Sequence, residues 1–145
     1  MASKNEQILA ALATAVSGTT NVGTRIWRSR VEAMGRNETP ALVIEPVQIN
    51  YAQNTSLPTL DATMRVRLTV VVRGTVPDQL ADATVVSMHS KVMADLTLGG
   101  VAIDVQPVQT LFNLIEADQP AGLVSCEYDI RYRTLVADLT QGPAD

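Results

Sequence analysis

Side chains with reactive sulfur or imidazole are almost missing from this sequence: it has one cysteine, Cys126, and one histidine, His89. A lone cysteine cannot form an internal disulfide, and its place in an alternating strand pattern assigns it a small apolar packing role in a reducing compartment. Without a second cysteine or histidine there is no CxxC and no HExxH, so a zinc site has no ligand set and His89 is expected to be structural or on the surface. Nucleophilic catalysis lacks a GxSxG signature, and nothing in the sequence brings His89 beside a serine or Cys126. Aromatic residues make up only 3% of the chain, which leaves no stacking platform for single-stranded nucleic acid. Basic charge is also short. The formal net charge is -4, the wrong sign for holding nucleic acid by phosphate neutralisation. No segment approaches the roughly eighteen apolar residues of a membrane span, and no basic head followed by an apolar run opens the chain. A soluble protein, intracellular when made, is expected.

What is abundant is aliphatic. Apolar residues reach 46% in a chain of 145 residues, about one domain, so the core is built from Val, Leu, Ile, Ala and Met. Met64, Val66, Leu68, Val70 and Val72 alternate with Arg65, Arg67, Thr69 and Arg73, the period of a half-buried strand spanning residues 60–73. Gly74 ends it. Thr75 or Asp78 then caps a helix whose Ala81, Val85, Met88, Val92 and Leu96 form one apolar stripe. Leu98, Gly99 and Gly100 make the turn after that helix, because glycine takes the left-handed conformation at little cost, and a strand follows at 101–105 with Pro107 ending it. The result is a βαβ passage.

Ser3 and Glu6 have capping-box spacing ahead of an N-terminal helix carrying Ile8, Leu9, Leu12 and Val16. Residues 24–28 read as a short strand, with Trp27 the largest side chain available to the core. A polar loop, 29–39, leads through Pro40 to a strand at 41–45. Pro46 marks an edge or a bulge, and Val47, Ile49 and Tyr51 resume the alternation. The segment 52–59 is longer than a hairpin needs, compatible with a reach toward a neighbouring subunit or with disorder. Residues 111–115 pair with a last strand whose Val124, Cys126, Tyr128, Ile130 and Tyr132 take one face, while Ser125, Glu127, Asp129, Arg131 and Arg133 take the other. Residues 137–145 are expected to fray. The fold class is α+β: a mixed, mainly antiparallel β-sheet with an N-terminal helix and a central amphipathic helix packed on it, in a single domain.

Nine of the eleven basic residues are arginine, which suits bidentate pairing with carboxylates. The arginine-bearing strand faces (Arg65, Arg67, Arg73, Arg131, Arg133) are interleaved with acids, compatible with a subunit contact or a solvated face. Asp95 and Asp104 flank the glycine turn, but acids at element ends are ordinarily solvated, so no metal is expected there. Gly99-Gly100 has neither the GxxxxGK[ST] nor the GxGxxG spacing of a phosphate loop, and the pair follows a helix where a phosphate loop precedes one.

The order of several segments resembles the tail terminator (tail completion) proteins of long-tailed bacteriophages. These segments are the capped first helix, Trp27-Arg28-Ser29-Arg30 before a loop ending in Pro40, and the helix with His89. Asp95-Leu96-Thr97-Leu98-Gly99-Gly100-Val101 and the strand Tyr128-Asp129-Ile130-Arg131-Tyr132-Arg133-Thr134 complete it. The likeness runs from Ile8 to Thr134. It implies a structural virion protein with no enzymatic activity and no cofactor. Its subunits form a ring, expected as a hexamer, at the head-proximal end of the tail, where it stops tail-tube polymerisation and presents a docking surface to the head. The partners implied are further copies of the chain, the tail-tube protein and a head-completion protein, with DNA passing through the lumen unbound and no membrane. Arg28 and Arg30 match the recurring pattern and are candidates for pairing with acids of an adjacent subunit; Leu98, Gly99 and Gly100 match as turn residues. The alternatives are another phage neck component, such as a head-completion or connector protein, or a small ligand-binding or enzymatic α+β domain.

Overall fold

The structure, a computed structural model, describes residues 2–28, 40–53, 58–74, 76–115 and 121–140. Helix α1 (Lys4–Ala15) is followed by strands β1 (Ile26–Arg28), β2 (Ala41–Ala52) and β3 (Thr59–Arg73). Helix α2 (Pro77–Met93) and strands β4 (Asp104–Ile115) and β5 (Ala121–Leu135) complete the order. The five strands form one sheet in the order β1-β2-β3-β5-β4, parallel only where β1 meets β2. The fold is therefore α+β with a mixed, mainly antiparallel sheet, as the alternation and the two helical stripes imply.

Strand period decides which side is buried. Met64, Val66, Leu68, Val70 and Val72 of β3 and Val124, Cys126, Tyr128, Ile130 and Tyr132 of β5 all point into one core. Ile8, Leu9 and Leu12 of α1 and Ala81, Met88 and Val92 of α2 join the same cluster, so both helices lie on one face of the sheet. Ser3 caps α1 by accepting from the Glu6 N–H at 3.3 Å. The reciprocal half of the capping box is missing, because the Glu6 carboxylate instead pairs with Arg28.

Four expectations need correction. The strand expected at 101–105 is strand only at Asp104 and Val105: β4 begins at Asp104 and runs through Pro107, with a register shift between Pro107 and Gln109. Proline cannot donate to a ladder, and a bulge at that point lets the strand continue. The same device operates at Pro46, where β2 shifts register before Gln48. Helix α2 stops at Met93, short of Leu96, which is exposed; its N-cap is Val76 with Pro77 opening the first turn, while Asp78 lies inside that turn and Thr75 falls outside the described residues. Trp27 is half-buried outside the core cluster, in register with Val43 on the sheet face away from the helices. Finally, the βαβ passage is split, since β5 lies between the parallel β3 and β4.

The turn after α2 takes the backbone form its glycines suggest. Leu98, Gly99 and Gly100 have φ of 50°, 76° and 97° in succession. Asp95 holds the turn by accepting from the Thr97 N–H (3.0 Å), the Thr97 hydroxyl (2.8 Å) and the Gly99 N–H (2.9 Å). The Thr97 hydroxyl first, then the Gly99 N–H, holds this carboxyl below its usual range. Buried Leu98 anchors the turn to the core despite its left-handed backbone. A Cβ at Gly100 would meet nothing within 4 Å, so Gly100→Val carries backbone strain alone. It is expected to lower stability by about 1–2 kcal/mol and to reduce folded yield before it alters any assembly, which thermal melting beside expression yield will show.

Candidate interaction surface

The sheet face away from the helices carries the arginines singled out from sequence, and register decides what they touch. Arg65 lies directly across from Asp129, Arg67 from Glu127, and Asp61 from Arg133. Each cross-strand pair closes as an ion pair. Arg65 Nε and Nη2 donate to the two oxygens of Asp129 at 3.0 and 3.3 Å. Arg67 Nε and Nη2 both donate to Glu127 Oε2, at 3.1 and 2.9 Å, while Gln109 Nε2 donates to Oε1 at 3.0 Å. The Gln109 amide, followed by Arg67, holds the Glu127 carboxyl below its ordinary value although burial opposes this. Arg67 also comes within 3.8 Å of Glu45 on β2. Arg133 pairs with Asp61.

These arginines therefore neutralise acids of their own subunit. Arg28 does the same by a bidentate bond to Glu6, tying the end of β1 to α1. Arg73 sits apart at the end of β3, in register with Ala121. Arg131 is exposed and has no ion-pair partner among the described residues, and Arg30 falls outside them. The turn and the last strand are brought together, because the Ile103 N–H donates to the Arg131 carbonyl at 2.7 Å.

The open part of the molecule lies elsewhere. Helix α2 packs over β3 and β5, so β4 extends the sheet beyond its cover. Val108, Leu111 and Phe112 on β4 are exposed, Phe112 by 67%. From Val105 to Ile115 the strand carries no charged residue. Edge strands are normally guarded by lysine or another charge against pairing with a second chain, and this one has only the bulge at Pro107. Sequence reading missed these residues because 110–117 is apolar without a clear period, although the missing charge was visible.

Between α2 and β4 runs a groove of about 540 Å³, lined by Val85, Val86, His89, Pro107, Thr110 and Tyr128 among others. His89 Nδ1 and the Tyr128 hydroxyl are hydrogen-bonded at 2.8 Å, and burial pushes the Tyr128 hydroxyl up so that it stays protonated. Cys126 is buried, its thiol also pushed up by burial, and the Thr110 hydroxyl lies 3.8 Å from its sulfur. A protonated, covered thiol is a poor nucleophile. Among the described residues no group of three or more His, Cys, Asp or Glu side chains is placed to hold a metal ion, and no helix is long and apolar enough to cross a membrane.

No protein-family model and no curated protein matches the chain. A chain from a solved structure described as the virion of a native gene transfer agent particle is similar over 89% of this chain and 91% of its own length, with 10% identity and a TM-score of 0.48.

Proposed function

We propose that this protein is a structural virion subunit that forms a ring, expected as a hexamer, at the head-proximal end of a phage tail. The ring terminates tail-tube polymerisation and offers the surface on which the head docks. The observation that carries this reading is the long, uncharged, apolar edge of β4, a surface suited to fitting against another protein. The sequence segments Trp27 to Arg30, Asp95 to Val101 and Tyr128 to Thr134, in that succession along the chain, support it by their resemblance to tail terminators. A ring whose subunits pair Arg28, Arg65, Arg67 and Arg133 with their own acids and carry a net charge of -4 leaves little to hold DNA passing through the lumen.

The test adds purified protein to tail-tube subunits as they polymerise. Tubes of fixed or capped length, with rings at one end in electron micrographs, are expected. Unaltered tube growth with rings still present favours a head-completion or connector role. The groove beneath α2 supports a second reading, a small ligand-binding domain, which a monomer in light scattering that binds an apolar metabolite would favour.

A further inference from the structure

The two sides of the sheet end differently from the rest of the surface. At one side β4 pairs only with β5, leaving its outer backbone edge without a partner among the described residues. At the other, β1 covers only Leu42, Val43 and Ile44 of β2, so the outer edge of 46–52 likewise has no partner among the described residues. That segment, Pro-Val-Gln-Ile-Asn-Tyr-Ala, also has no charged residue, and Val47 and Tyr51 are exposed on it. Among the described residues both edges thus leave hydrogen-bonding groups without a partner, and they carry exposed apolar side chains and no charge to repel a strand.

We infer that these two edges are the halves of one joint: the outer edge of β4 pairs with residues 46–52 of β2 in the next copy of the chain. Strand direction fits. Strand β4 runs with β3, and β2 runs against it, so the two edges meet antiparallel when one subunit follows another in the same orientation. Backbone hydrogen bonds would supply affinity, and the groove between α2 and β4 would take side chains from the incoming strand, which supplies register. A contact between two different patches is heterologous, the kind that closes into a ring. Pairing of β4 with a second β4 would instead give an isologous dimer and leave both copies of 46–52 open.

This joint rests on the proposed ring and specifies its contact. Two variants test it: Leu111→Lys/Phe112→Lys, which charges the β4 edge, and Val47→Lys/Asn50→Lys, which charges the β2 edge. All four positions are exposed, and melting curves check that each variant folds. In light scattering the wild type is expected as a ring, each variant alone as a monomer, and a one-to-one mixture as a heterodimer joined through the one intact pair of edges. The outward-facing amides of 47–52 and of the central part of β4 are expected to gain at least tenfold protection from hydrogen exchange in the assembled wild type over the diluted monomer. Rings that persist in either variant, or edge amides that stay unprotected in the ring, overturn the joint while leaving the ring function intact. A β2-edge variant that dimerises alone, or a mixture that yields no heterodimer, also overturns it. A monomeric wild type overturns both.

Discussion

Replacing Gly122 by valine is expected to destabilise the fold by about 3 kcal/mol, the upper end of what overpacking usually costs, and to lower the melting temperature by roughly 10 °C. Gly122 stands on β5 directly against Pro77, the first residue of α2. A Cβ at this position would lie 2.4 Å from Pro77 Cβ and 3.6 Å from its Cα. The proline ring is rigid and opens the helix, so it cannot swing aside as a long side chain would. The helix has to lift instead. Because Ala81, Met88 and Val92 hold α2 to the core, lifting its first turn strains the packing between helix and sheet. Gly122→Ala already meets the same contact and should cost somewhat less. Denaturant melts of both variants measure the effect; a valine variant within about 0.5 kcal/mol of wild type would show that the close approach is not needed.

Arg67→Ala is expected to cost about 2 kcal/mol, and the loss arises from the partner it abandons. The Glu127 side chain is only 3% exposed, and without Arg67 its carboxylate keeps a single described hydrogen bond, from Gln109. The cost stays below that of a fully buried pair because the Arg67 side chain is itself 35% exposed. Removing both groups in Arg67→Ala/Glu127→Ala should recover part of the loss, since no uncompensated charge remains. The pH dependence follows from the same pair. The folded-state pKa of Glu127 lies below its ordinary 4.5, so its contribution is fully present above that value and disappears as pH falls through the folded value. Melts recorded downward from neutral pH should therefore show wild type and Arg67→Ala converging below about 4.5. A gap that stays constant with pH would mean that Glu127 is not the group left stranded.

The elements legible in the sequence were those with a strong local period. The alternation in β3 and β5 told inside from outside because one face is buried and the other is not. The left-handed turn at Leu98, Gly99 and Gly100 was legible because glycine is the residue such a backbone needs. Long-range order was not. Nothing local says that β5 inserts between β3 and β4, and without that order the arginines of β3 could not be matched to Asp129, Glu127 and Arg133's partner Asp61. The size of Trp27 points to the core, but the parallel pairing with β2 turns it to the other face. Proline breaks a ladder and so reads as a terminator at Pro107, but a bulge on the sheet's edge absorbs that break. The uncharged edge of β4 is thus a second candidate surface beside the arginine face, where Arg65, Arg67 and Arg133 pair within the subunit.

The proposed function requires the chain to close into a ring through surfaces that fit, without a reactive centre. Native mass spectrometry of the purified wild-type protein measures this most directly. A single closed species of uniform subunit number, expected as six, that persists on dilution is the predicted result. A chain that remains monomeric at high concentration would contradict it.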